Sequence, residues 1–177
     1  MKVLTSSLPV VLAMLILSTA TAAARRADLS EFAGNYRGSV SLNVFGTPAS
    51  GPATVRVTVP RNGEFAIFRT SGSITSGGST VGVNNTLVFL RPKALILTNL
   101  LFGIGGFAPG QSGAFTSRPH LLKYNTPFAI GSITGSLGGS IRAKKVGHKL
   151  KLIMSNLVAI SGSSSVEIDF VVSRHLH

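Results

Sequence analysis

Along most of this chain, hydrophobic and polar residues alternate with a period of two. From Asn35 to Val44, Tyr36, Gly38, Val40, Leu42 and Val44 fall on one side and Asn35, Arg37, Ser39, Ser41 and Asn43 on the other. Ten residues of alternation predict a β-strand with one dry face. Ala53 to Val59 repeats the pattern, Pro60-Arg61-Asn62-Gly63 reads as a turn, and Glu64 to Thr70 returns as a hairpin partner. Further strands are expected at Ser79–Val83, Asn85–Leu90, Ala94–Leu100, Pro127–Leu137, Ser140–Lys144, Lys149–Ile160 and Val166–Ser173. Arg91-Pro92-Lys93, Val146-Gly147-His148 and Ser161 to Ser165 separate them as turn signals. Past residue 24, the one helical signal is a single turn at Leu29 to Phe32, after Asp28.

Eight to ten short strands at this spacing predict an all-β chain: a single-domain antiparallel β-barrel or sandwich. In general architecture it resembles the lipocalin-like barrels, although the tryptophan of the lipocalin fingerprint is missing, since the chain has none. That likeness is one of fold and carries no function with it. Glycines recur inside the strands, as a closing barrel requires. Gly72 to Thr75 and Gly131 to Thr134 both read GSIT, from a duplicated half-barrel or from chance in a Gly- and Ser-rich chain. Gly103 to Asn125 is expected to be a long loop, with Pro109-Gly110, Ser112-Gly113 and Arg118-Pro119 as breakers.

Residues 1–24 have the form of a signal peptide: Lys2, an apolar run from Val3 to Leu17, then small residues through Ala24. The remaining 25–177 would be one exported all-β domain, periplasmic or extracellular. The chain has no cysteine, which excludes disulfides, thiol catalysis and a cysteine-held zinc. It carries 17 Lys and Arg against 5 Asp and Glu, a net charge of +12. Such an excess attracts anionic partners and also keeps a Gly- and Ser-rich β-protein dissolved.

Alternation alone does not say which face points inward. In one arrangement Val40, Leu42, Val55, Val57, Phe65, Leu87 and Phe89 (with Leu152 and Phe170) line an interior that takes an apolar or amphiphilic small ligand. The glycine-broken stretch LLFGIGGFAPG, residues 100–110, would then turn over one mouth, with Phe102, Ile104 and Phe107 reaching toward the ligand. In an outer-membrane barrel the apolar face would instead meet lipid. Two tyrosines and no tryptophan are few for the aromatic girdles of such barrels. Residues 103–106 have neither the Lys-Ser/Thr of a phosphate loop nor the spacing of a dinucleotide fingerprint.

The densest charge is in IRAKKVGHKLK, residues 141–151. Here Arg142, Lys144, Lys145, Lys149 and Lys151, with His148, crowd one hairpin and suit an anionic polymer or membrane surface. Specific nucleic-acid recognition is not expected, because no aromatic platform interleaves with these charges. Chemistry has little to work with. Glu167 and Asp169 share a strand face, His120 sits in the expected loop, and His175 and His177 alternate at the C-terminus. None forms an ordered catalytic or metal-binding set, so no enzyme, cofactor or metal is expected. Asn84-Asn85-Thr86 matches the glycosylation sequon, which carries no meaning in a bacterial protein.

Overall fold

A computed structural model of the chain describes residues 28–44, 47–91, 94–102, 105–107, 111–130, 133–160, 162 and 165–176. The expected signal peptide, Ile104 and His177 lie outside the described residues, as do the side chains of Phe102 and Phe107. The alternating pattern becomes eleven antiparallel strands after one 3-10 turn, Leu29–Phe32. They are β1 (Gly34–Val44), β2 (Thr47–Thr58), β3 (Phe65–Ser76), β4 (Ser79–Leu90), β5 (Ala94–Phe102), β6 (Gly105–Phe107), β7 (Gln111–Arg118), β8 (Leu121–Ile130), β9 (Ile133–Val146), β10 (Lys149–Ile160) and β11 (Val166–His175).

Apart from β6 and β7, which both pair with β5, each strand pairs with its neighbour in sequence, and β1 pairs with β11, so the ladder returns on itself. β6 and β7 follow one another along the same edge of β5 and together fill one place in the wall. The result is an up-and-down barrel. Its connections therefore alternate between two ends. One end carries the first described residue, Asp28, the turns after β2, β4, β7 and β9, and the finish of β11. The other carries the turns after β1, β3, β5, β8 and β10.

The dry face points inward. Tyr36, Val40 and Leu42 of β1 are buried while Asn35, Arg37, Ser39, Ser41 and Asn43 are exposed. Val55, Val57, Leu87, Leu152 and Phe170 are likewise buried inside. Phe89 meets Phe68 and Phe115 edge-on at 5.2 Å and Tyr124 at 5.5 Å, and Phe68 in turn meets Phe32 of the 3-10 turn at 5.9 Å. Edge-to-face packing aligns ring edges with ring faces, which favours this geometry over parallel stacking. Asp28 caps the 3-10 turn by accepting from Ser30 N at 3.0 Å, and that hydrogen bond holds its carboxyl below the usual range.

Polar groups inside are matched. The Tyr124 hydroxyl donates to Asn156 Oδ1, and Asn156 Nδ2 donates to the Ile168 carbonyl at 2.9 Å. Thr70 Oγ1 donates to Asn85 Oδ1 at 2.8 Å. Glycine serves the curvature where strands cross closely. A Cβ on Gly38 would lie 2.2 Å from the Val171 carbonyl oxygen, so only glycine lets β1 run this near β11.

Several expectations are corrected. Phe65 does not line the interior: Ala66 and Phe68 take the inward positions of β3, and Phe65 faces out, half-buried, opposite Leu90. Four consecutive apolar residues hid the period there. Gly103–Asn125 is not one loop, since β6, β7 and the start of β8 occupy most of it. Phe115, Leu122 and Tyr124 point in and Ala114, Thr116, Lys123 and Asn125 point out, an alternation masked by short side chains and Arg118-Pro119. Ser79–Val83 and Asn85–Leu90 are a single strand. Pro127–Leu137 divides between β8 and β9, which pair from Ile130 with Ile133 outward. The two GSIT copies are not equivalent: Ile74 and Thr75 end β3, whereas Ile133 and Thr134 begin β9.

Both tyrosines of the chain are buried inside, and burial raises the ionisation of each above the ordinary value. The unfolded chain loses these protons near pH ~10 while the folded one keeps them, so stability falls as pH rises above that point. Titration followed by phenolate absorbance should therefore show no ionisation of native tyrosine near pH ~10 and a joint release with unfolding at higher pH. A normal tyrosine titration with the fold intact would contradict this placement.

Candidate functional site: a cationic end of the barrel

The alternation of turns sorts the charges. Arg37 lies near the start of β1, Arg56 near the end of β2, Arg61 in the following turn and Arg69 near the start of β3. Arg91 follows β4, Arg118 ends β7, Lys123 lies near the start of β8, and Arg174 nearly ends β11. Arg142, Lys144 and Lys145 approach the end of β9, and Lys149 and Lys151 open β10. Every lysine and arginine among the described residues thus belongs to the end that holds Asp28. The opposite half holds no described cation, and its acids are Glu167 and Asp169, near the start of β11.

Within this end the basic hairpin stands on the outer wall, with one exception. Lys144 of β9 lies directly opposite Lys151 of β10, Arg142 opposite Ile153, and Lys149 opposite Val146. Lys145 has inward parity, opposite Leu150, and reaches solvent only because the barrel ends there. The row continues from Lys151 to Ser173 and from Ser173 to Arg37. At ~4.8 Å per strand, Lys144 to Arg37 spans roughly 14 Å of wall. A shallow groove lined by Arg37, Gly38, Val146, Lys149, Lys151 and Val171 runs along it, and two further depressions, one toward β2 and β3 and one at the ends of β1 and β11, also include Arg37.

Two like-charged pairs face each other directly, Lys144 with Lys151 and Arg56 with Arg69. Such pairs destabilise a sheet by a few tenths of a kcal/mol to ~1 kcal/mol. Among the described residues, Arg37, Lys144, Lys149 and Lys151 have no carboxylate partner. Arg174 is spent internally: its Nε donates to the Tyr36 hydroxyl at 3.4 Å and its guanidinium lies 5.7 Å from that ring.

The acids of this end are mostly committed. Asp28 caps the 3-10 turn. Glu31 accepts from His120 N at 2.9 Å and lies 2.7 Å from His120 Nδ1, which ties that turn to the β7–β8 connection. His120 needs this hold, because its φ of 61° is left-handed. The histidine is therefore engaged with Glu31 through Nδ1 rather than arranged with a serine. Glu167 and Asp169 line an outer groove with Ser140, Ser155 and Gly138. No cluster of three or more metal-ligating side chains occurs among the described residues.

The interior candidates are brought together, but against one another. Val40, Leu42, Val55, Val57, Leu87 and Phe89 belong to one buried cluster. The sequence pattern did not single out Arg37, Arg56, Arg69, Arg118 and Lys123. Their signal was present in their spacing, since each lies in the half of its strand nearer Asp28 or an alternate turn, but the turns had first to be placed correctly.

No protein-family model matches the chain, and no curated protein matches it. Among solved structures it is similar to a protein of unknown function from the DUF3598 family of Nostoc punctiforme PCC 73102. The identity is 13% and the TM-score 0.31, over 85% of this chain and 50% of that one. The chain thus spans half the length of that protein.

Proposed function

We propose that this barrel is a non-enzymatic binding protein of the cell envelope that contacts anionic surfaces through its cationic end. The observation that carries the reading is the sorting of all described lysines and arginines to one end. A net charge serving solubility alone has no reason to avoid half of the molecule. A one-sided field draws an anionic partner in and orients it. The unrelieved Lys144–Lys151 pair supports the same reading, because an anion bridging the two would convert a repulsion into an attraction.

Uptake of an apolar small molecule inside the barrel is the less favoured reading. The side chains that would contact it are buried in mutual contact, and the Phe89–Phe115–Tyr124 rings would have to separate. Against an outer-membrane barrel stands the outward face of β1, where Ser39, Ser41 and Asn43 are exposed along the strand in place of the apolar band such a wall needs.

The test is retention on a polyphosphate matrix at low ionic strength. The protein should bind and elute with salt, as exposed charges require. The E167Q/D169Q variant should elute with it or slightly later. Passage of the wild type in the void volume would overturn the proposal.

A further inference from the structure

Resting on that reading, the geometry points to one class of partner: we infer that the cationic end seats on an anionic lipid bilayer, with the barrel standing upright and the β9–β10 hairpin tip in the headgroup layer. A linear polymer is matched by a stripe of charge. Here the cations come from β1, β2, β3, β7, β8, β9 and β10 and from the turns after β2 and β4, so they surround the whole end of the barrel. A ring of charge around one end fits a plane.

The apolar residues agree. Val146 is 52% exposed at the tip of the hairpin, between Lys145 and the Gly147 turn and opposite Lys149. Val171, 37% exposed, lies further up the same groove. Half-buried Phe65 and Leu90 face outward as a pair at the same end. Apolar side chains set among lysines suit the boundary between headgroups and acyl chains, which rewards both. A soluble polyanion offers nothing to Val146. The far half of the wall, with Glu167, Asp169 and 43% exposed Leu157, would stay clear of the surface.

Because the chain contains no tryptophan, single substitutions report position directly. V146W and L157W are mixed with phosphatidylcholine vesicles made with and without phosphatidylglycerol. Sedimentation with the anionic vesicles only is expected, with a blue shift of emission in V146W and none in L157W. Retention on polyphosphate without sedimentation on vesicles would overturn the lipid assignment and leave the anion-binding reading standing. Loss of both would overturn the two together. A blue shift in L157W rather than V146W would overturn the upright orientation. A V146W emission already blue without lipid, and dependent on protein concentration, would assign the tip to a second copy of the chain and overturn the lipid.

Discussion

Replacing Phe89 with alanine should destabilise the protein by about 3–5 kcal/mol, enough to lower the midpoint of thermal unfolding by roughly 6–20 °C. Phe89 is fully buried and is the ring on which Phe68, Phe115 and Tyr124 converge edge-on, so its removal strips contacts from β3, β7 and β8 at once. The surrounding wall is hydrogen-bonded on both sides of β4, which limits how far it can collapse into the space left behind. Phe65→Ala supplies the contrast. Its ring faces outward and is half-buried, so the loss should be nearer ~1 kcal/mol. Phe89 lies on β4 and Phe65 on β3, so urea titration of the two variants decides which face of β3 points inward. A larger cost for Phe65→Ala than for Phe89→Ala would mean that the strand faces the other way.

The second large effect concerns binding rather than stability. The variant K144Q/K145Q/K149Q/K151Q should lose roughly thousandfold in affinity for an anionic surface at low salt, taking ~1 kcal/mol for each lysine near such a surface. Its stability should be unchanged or slightly higher, because the Lys144–Lys151 repulsion disappears with the charges. Early elution from the polyphosphate matrix, with an unaltered unfolding curve, is the expected result. Unchanged retention would show that the hairpin contributes nothing, and would shift the interaction to the Arg37, Arg56 and Arg69 side of the ring.

Much of the barrel was legible because alternation is a one-dimensional record of an inside and an outside. Asn35 to Val44 has the dry residues on one parity and polar ones on the other, and β1 follows it within a residue. The record failed where both parities were apolar or both were small. In β3, Phe65, Ala66, Ile67 and Phe68 are all apolar, and only the pairing with β2, which sets Arg56 opposite Arg69 outside, fixes the parity. In β7, Gly113, Ala114 and Thr116 say little against Phe115, so a strand read as loop.

The basic hairpin was legible as a cluster because its charges are adjacent in sequence. The cationic end was not. Arg37, Arg56, Arg69 and Lys123 are scattered along the chain, and only the up-and-down course of the strands gathers them at one end. That gathering requires correct turns. The misread segment before Asn125 concealed the β7–β8 connection, and with it the place of Arg118 and Lys123.

Hydrogen–deuterium exchange with and without soluble polyphosphate tests the central claim most directly, since it asks which end of the barrel the partner covers. Protection is predicted at residues 59–64, 118–121 and 146–149, the connections of the cationic end. Exchange at residues 76–79 and at 160, 162 and 165, at the opposite end, should not change. Protection confined to that opposite end, or none at either, would contradict a cationic binding end.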